Sequence, residues 1–280
     1  MNNRNELNGR ILEAFPKNLL ENYFEVSGKK EELINKIPQT FTEKEIHKFI
    51  CDSFNFLHLT INIFEINNTI PSSFSKIMDG ECLYYDSSAR VKEWIYLHKI
   101  FIKYYDTKLG QTDLIEFLLP VRIYNKGKIL IVYQNTFQRD INSYFKHSIY
   151  LDRGARSVGV VDNIKYNFNK PLFSLDLNKG IKYLWKNDFI DAMKVRSRES
   201  KSIRQDRMDE DYLYKASYPK KWDELMTTPI QQTKFKSLSK TITLDHFDCN
   251  PSTGNIGLSF HPSSTNDIVD LVKLILKHNK

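Results

Sequence analysis

Two lysines stand at an unusual place near the start of this chain. Ser27-Gly28-Lys29-Lys30 leads into Glu31-Glu32-Leu33-Ile34-Asn35-Lys36-Ile37, where apolar residues recur at helical spacing. The first amides of a helix are unpaired and carry partial positive charge, so they attract anions and disfavour cations. Lys29 and Lys30 at such an end make chemical sense if a phosphate is to be bound there. Glu31 and Glu32 in the same turn offset them, which also fits a plain helix start with Ser27 as its cap. A second basic set, Lys194, Arg196, Arg198, Lys201, Arg204 and Arg207, falls within one short polar stretch. Read as a helix, it places Lys194, Arg198 and Lys201 on one face, with Arg204 beside them. Such a face can lie along a phosphate backbone, although Glu199, Asp206 and the acidic run Asp209 to Asp211 give it the mixed signs of a solvated helix. A third cluster sets Lys220 and Lys221 beside Tyr218 and Trp222, a combination suited to single strands or to a loop pinned by its tryptophan.

Candidate catalytic residues are sparser. Glu199-Ser200-Lys201 spells the E-x-K of metal-dependent nucleases, but that chemistry needs a core strand, and the segment reads as helix. Asp162-Asn163-Ile164-Lys165 sits on a strand-like segment, with Asp140 or Asp152 as an upstream carboxylate. His47 and Cys51 are four apart on a helix, a metal-ligand spacing without a second pair to complete a tetrahedral set. Asp245-His246-Phe247-Asp248-Cys249 gathers a base, carboxylates and a thiol at the mouth of a hairpin, with His261 on the other arm. None of these makes a complete site. No G-x-G-x-x-G or G-x-x-x-x-G-K-[ST] stretch occurs, and no cofactor is expected.

The segment Phe15–Ile37, FPKNLLENYFEVSGKKEELINKI, resembles the SAP (helix–extension–helix) family of small DNA-binding modules. Leu19 and Leu20 match the paired leucines of its first helix, and Phe24 the apolar residue before the extension. Ser27, Gly28, Lys30, Leu33, Ile34, Lys36 and Ile37 match the rest of the motif in register. Tyr23 stands where the family often has glycine, and Lys36 where arginine is commoner. The resemblance implies a module over residues 1–40 that meets duplex DNA through phosphates, with Ser27, Gly28, Lys29, Lys30 and Lys36 at the contact. Phosphate contacts position a protein on DNA without reading its bases.

The elements that must hold these residues emerge from pattern. Helices are predicted over Asn8–Phe15, from Pro16 through Phe24, and over Lys29–Ile37, ended by Pro38. Thr42 caps a fourth carrying Ile46, Phe49, Ile50, Phe54 and Leu57. Leu59–Ile66 alternates as a strand. Arg90–Tyr105 reads as helical or mixed. Phe117–Tyr124 and Lys128–Tyr133 flank Asn125-Lys126-Gly127 as a hairpin. Ser157–Phe168 adds strands. From Asn178 a helix with Ile181, Leu184, Trp185, Phe189, Ile190 and Met193 leads into the basic segment, about 179–215. Near the end, about 240–280, a hairpin around Asp248–Gly254 precedes a helix capped by Ser264 or Thr265, with Ile268, Leu271, Val272 and Ile275 inward.

The whole is expected to be α+β: a small helical module at 1–40, then a mixed, mainly antiparallel sheet body at 41–280 with flanking helices. Length and composition agree, with 280 residues, 41% hydrophobic and 27% charged. The net charge of +7 allows a polyanionic partner without requiring one. Cys51, Cys82 and Cys249 are few and scattered, the first residues are polar, and no apolar run reaches a membrane span. An intracellular protein of the cytoplasm, nucleoid or nucleus is expected, with DNA as partner, a protein partner besides, and no membrane. The function read from this is DNA binding without catalysis, as an adaptor or sensor. A metal-dependent nuclease and a protein-binding scaffold are the alternatives.

Overall fold

Thr42 is followed three residues on by Glu45, and the pair closes a helix end reciprocally. The Glu45 N–H donates to Thr42 Oγ1 at 3.3 Å and the Thr42 N–H to Glu45 Oε2 at 2.7 Å. The computed structural model in which this is seen describes residues 2–67, 70, 76–88, 91–106, 110–135, 149–151, 155–168, 171–199, 202–207, 212–258, 260–262, 264 and 266–280. In chain order its helices are α1 (Asn2–Glu13), α2 (Lys17–Phe24), α3 (Lys30–Thr40), α4 (Glu43–Ser53), α5 (Ala155–Phe168), α6 (Asn178–Lys186), α7 (Tyr214–Ser217), α8 (Pro219–Thr227) and α9 (Asp267–His278). Its strands are β1 (Leu59–Glu65), β2 (Glu81–Ser88), β3 (Val91–Asp106), β4 (Gln111–Lys126), β5 (Ile129–Asn135), β6 (Ile149–Leu151), β7 (Phe173–Ser174), β8 (Ile190–Glu199), β9 (Ser202–Arg207), β10 (Thr233–Ser237), β11 (His246–Asn250) and β12 (Asn255–Gly257). The fold is α+β, as expected. The chain divides into two units, Met1–His58 with Ile66–Leu172, and Leu59–Glu65 with Phe173–Lys280.

In the first unit, α1 to α4 close on an aromatic cluster. Phe24 lies 4.8 Å from Phe41 and 5.0 Å from Phe49, and Phe15 and Tyr23 meet the same Phe49 ring at 4.8 and 4.9 Å. Leu20, Leu33 and Ile37 are buried with them. The α3 helix passes through Pro38 to Thr40 rather than stopping before it. Proline brings no N–H to the Ile34 carbonyl. Gly9 of α1 backs onto that same carbonyl, where an added Cβ would lie 2.8 Å from the oxygen. The proline thus frees a carbonyl at the point where a glycine lets the two helices touch.

The strands of this unit form an antiparallel meander, β2-β3-β4-β5, with β6 beside the far end of β3. The β4–β5 hairpin forms as expected, and Gly127 turns it at φ 59°. Two expectations fail here. Arg90–Tyr105 is not helical: Val91–Asp106 is one long strand, in register with β4 from Val91↔Lys126 to Asp106↔Gln111. Trp94, Ile95, Tyr96 and Leu97 are all buried, so the alternation that marks a one-sided strand is absent. Ser157–Phe168 is not strand but helix α5, which buries Val160, Ile164 and Phe168 at four-residue steps.

The second unit is an antiparallel sheet in the order β7-β1-β12-β11-β10-β8-β9. One face carries Ile61, Ile256, Cys249, Phe247, Phe235 and Ala192, all buried. Trp185 of α6 packs edge-on against Phe235 at 5.4 Å. Gly180 lets α6 meet α9, where a Cβ would stand 2.5 Å from the Ile275 carbonyl. Ile268, Leu271, Val272 and Ile275 of α9 face inward as predicted. Ser264 sits at its start, donating its N–H to Asp267 Oδ2 at 2.9 Å and accepting from the Asn266 N–H at 3.3 Å. The hairpin around Asp248–Gly254 is present as β11–β12.

The basic segment 179–215 departs most from the helix expected of it. Helix α6 ends at Lys186, and the chain continues into the hairpin β8–β9. Asp188 adopts φ 56°, and the Phe189 N–H reaches back to the Leu184 carbonyl at 2.9 Å. That left-handed cap stops the helix, so Phe189, Ile190 and Met193 leave its face.

Candidate nucleic-acid interface

The start of α3 is shaped by the turn before it. Glu25 takes φ 52° and closes α2, with the Val26 N–H donating to the Glu21 carbonyl at 3.2 Å. The extension then runs through exposed Ser27 and through Gly28 at φ 152° to Lys29, the cap residue. The capping carboxylate is Glu32, whose Oε2 accepts the Lys29 N–H at 3.0 Å. The N–H groups of Glu32 and Leu33 both go to the Lys29 carbonyl at 3.0 Å. The amides of Lys30 and Glu31 have no acceptor among the described residues. Lys29 and Lys36 are exposed and Lys30 is half-buried. Glu32 therefore shares the helix end with any incoming anion.

Tyr23, the departure from the family pattern, has its own structural work. Its hydroxyl donates to Asp52 Oδ2 at 3.0 Å, tying α2 to the end of α4. Burial, then that hydrogen bond, pushes its phenol up to about 12.

In the second unit the other predicted contact residues do not share a helical face. Lys194 and Arg198 are on β8, Arg204 is on β9 opposite Ser197, and Lys201 lies outside the described residues. Strand register creates a different grouping. Lys194 stands directly across from Lys234 of β10 on one side and from Arg207 of β9 on the other. Lys234 in turn pairs with Asp248 of β11. Among the described residues no carboxylate makes an ion pair with Lys194 or Lys234. Sequence reasoning missed Lys234 altogether, because a strand pairing across forty residues leaves no local signal.

The remaining candidates resolve individually. His47 gains company that its spacing to Cys51 did not foretell. Glu43, one turn earlier on α4, and Glu81 of β2 complete a trio whose ligand atoms lie within 4.8 Å of one another. Each carboxylate oxygen is 3.6 Å from a different ring nitrogen. The guanidinium of Arg4 from α1 bridges Glu43 and Glu81, so an organic cation already fills the place of a metal. Burial pushes the Cys51 thiol up to about 11, away from thiolate chemistry.

Asp162 lies on α5 with Lys165 one turn away at 3.5 Å, not on a strand; Asp140 and Asp152 lie outside the described residues. Glu199 ends strand β8 opposite Ser202, so the helical ground for setting it aside does not hold; Ser200 and Lys201 lie outside the described residues. His246 packs on Phe260 at 4.6 Å, and Asp248 faces Lys234 and Gly257 in register. Cys249 is buried, and burial raises its thiol. Residues 215–225 are two short helices, not a loop. There the Lys215 ammonium covers Trp222 at 4.9 Å and Lys221 covers Tyr218 at 5.5 Å.

Among the described residues no helix is long and apolar enough to cross a membrane. No family model, curated protein or solved structure matches the chain.

Proposed function

We propose that this chain is a DNA-binding protein without catalysis of its own, an adaptor or sensor that meets duplex DNA through the SAP-like helical pair α2–α3. The observation that carries this reading is the division of labour within the motif. Its apolar members Leu20, Phe24, Leu33 and Ile37 are buried, while Ser27, Lys29 and Lys36 are exposed around a helix end with two unbound amides. Phosphate suits that end by charge and by hydrogen-bond direction. The basic positions of β8–β9, Lys194, Arg198 and Arg204, would add backbone contacts of the same sequence-independent kind.

The test is a fluorescence anisotropy titration of a labelled duplex at several salt concentrations. Changing Lys29, Lys30 and Lys36 to Glu together is expected to weaken binding at least tenfold. The slope of log affinity against log salt should fall by about 2–3, near 0.9 for each phosphate that is no longer neutralised. A chain that binds no duplex at about 50 mM salt, or a triple variant that binds as the parent does, refutes the reading.

A further inference from the structure

The second unit's sheet has one face packed on helices and another that is polar. That polar face runs through Thr60 and Asn62 of β1, Asn255 of β12, His246 and Asp248 of β11, Lys234 and Lys236 of β10, and Lys194 and Arg196 of β8. Among the described residues neither Lys194 nor Lys234 on it has an ion-pair partner. Lys194 and Lys234 are directly opposed across β8 and β10, and like charges so placed destabilise a sheet. Both are half-buried, which sharpens the repulsion by limiting the water between them. Arg196, exposed, is held to Gln232 through Nη1 at 2.8 Å, with its backbone N–H on the Gln232 carbonyl at 3.1 Å. Among the described residues two carboxylates meet these lysines in register: Asp248 is across from Lys234, and Asp191 is across from Lys236 but is taken up by Trp185 Nε1 and the Tyr214 N–H. Beside Lys236, the strand carries His246, whose ring meets that of Phe260 at 4.6 Å and 43°.

We propose that this face binds a single-stranded nucleic acid, with Lys194, Lys234 and Arg196 on its phosphates and the His246–Phe260 pair against a base. A polyanion relieves the opposed lysines, and an aromatic surface next to them accepts the flat face of an unpaired base. A duplex offers phosphates but keeps its bases stacked inside, so it uses only half of what the face presents. Ribose and deoxyribose strands share this chemistry. The site shares Lys194 with the strand residues that would add duplex contacts, but it uses no residue of α3, so the triple variant of Lys29, Lys30 and Lys36 separates its failure from that of the duplex reading.

The experiment titrates the full chain with labelled dT20, rU20 and a duplex of equal length, and with vesicles rich in phosphatidylserine. Lys194→Glu places opposite charges across the strands, so its thermal midpoint should equal or exceed that of the parent while single-strand affinity falls about tenfold. The salt slope should drop by about 0.7 for the one phosphate that is no longer held. Phe260→Ala should weaken single strands by roughly 5- to 100-fold and leave the duplex unaffected. Comparable affinity for dT20 and rU20 indicates backbone and base contact alone, and a preference for rU20 a contact to the 2′-hydroxyl; both support the site. The triple variant of Lys29, Lys30 and Lys36 should bind single strands as the parent does. Absence of single-strand binding at low salt overturns the proposal. So does single-strand binding indifferent to Lys194→Glu and Phe260→Ala, or capture by anionic vesicles but not by oligonucleotides.

Discussion

A buried carboxylate shows how single residues hold the second unit in shape. Asp191 is 2% exposed and accepts two hydrogen bonds, from Trp185 Nε1 and from the Tyr214 backbone N–H, both at 2.9 Å. Those bonds tie α6 and α7 to the start of β8, before β9 begins to pair with it. Removing the acceptor strands two buried donors, each costing about 1–3 kcal/mol. Asp191→Ala is therefore expected to lower unfolding free energy by about 2–4 kcal/mol, measured by urea denaturation. A loss below about 1 kcal/mol would mean that water or a neighbouring carbonyl replaces the carboxylate. Residue types announced some of this chemistry in the sequence. The lysines at the start of α3 were visible because helix ends have a known polarity. Asp191 was not, because nothing local says that an aspartate will meet a tryptophan six residues away and a backbone amide twenty-three residues on.

Elements were legible where their stabilising contacts are local. The Thr42–Glu45 cap, the Gly127 turn and the four-residue apolar steps of α9 are written within a few residues, and each formed as expected. Elements fixed by distant partners were misread. Strand β3 buries Trp94, Ile95, Tyr96 and Leu97 on both faces between β2 and β4, so it lacks alternation there. Helix α5 carries three valines around one glycine near its start, Val158 to Val161, and that β-like run masked the spacing of Val160, Ile164 and Phe168. The basic stretch carried two periods at once. Lys194, Arg198 and Lys201 suit a helix, while Lys194, Arg196 and Arg198 recur every second residue as in a strand. Asp188 at its left-handed φ decided between them.

The docking of α5 also predicts a pH effect. Asp79 receives Lys76 Nζ at 3.0 Å, Asn163 Nδ2 at 3.1 Å and Asn167 Nδ2 at 3.2 Å, while its own N–H donates to Asn163 Oδ1 at 2.7 Å. The Lys76 ammonium first, then Asn167 and Asn163, hold its carboxyl down to about 2. A carboxyl depressed on folding stabilises the native state above its unfolded value near 4 and loses that effect as pH falls toward 2. Asp79→Asn should thus lower the thermal midpoint at pH 6, with the gap closing between about pH 4 and pH 2. Because the group is exposed, the gap should be small. A gap that is constant across this range would show that the ionised carboxylate is not what holds α5.

At the scale of the whole molecule, the path of the chain couples the two units through their sequence. The second unit consists of Phe173–Lys280 and seven residues taken from far upstream, Leu59–Glu65. Those seven are β1, an interior strand, hydrogen-bonded to β12 through Thr60↔Gly257, Ile61↔Ile256 and Asn62↔Asn255, and to β7 through Phe64↔Ser174. They also complete a tight junction. Gly254, at φ 64°, accepts the Ile63 N–H at 2.9 Å, and a Cβ there would stand 2.5 Å from the Ile63 carbonyl and 2.7 Å from that of Leu175. Without β1, the three residues of β12 would become an edge strand, and Ile256 and Leu258 would lose Leu59, Ile61 and Ile63 as neighbours on the buried face. A fragment of residues 173–280 alone is therefore expected to lack a cooperative thermal transition. Joining residues 59–65 to its N-terminus through a flexible Gly/Ser linker should restore one, read by far-ultraviolet circular dichroism. A fragment that melts cooperatively without the strand would show that β1 is an accessory to this unit. A rescued fragment would give the polar sheet face, with Lys194, Lys234 and Phe260, in isolation from α3, the form in which single-strand binding can be measured free of the helical pair α2–α3.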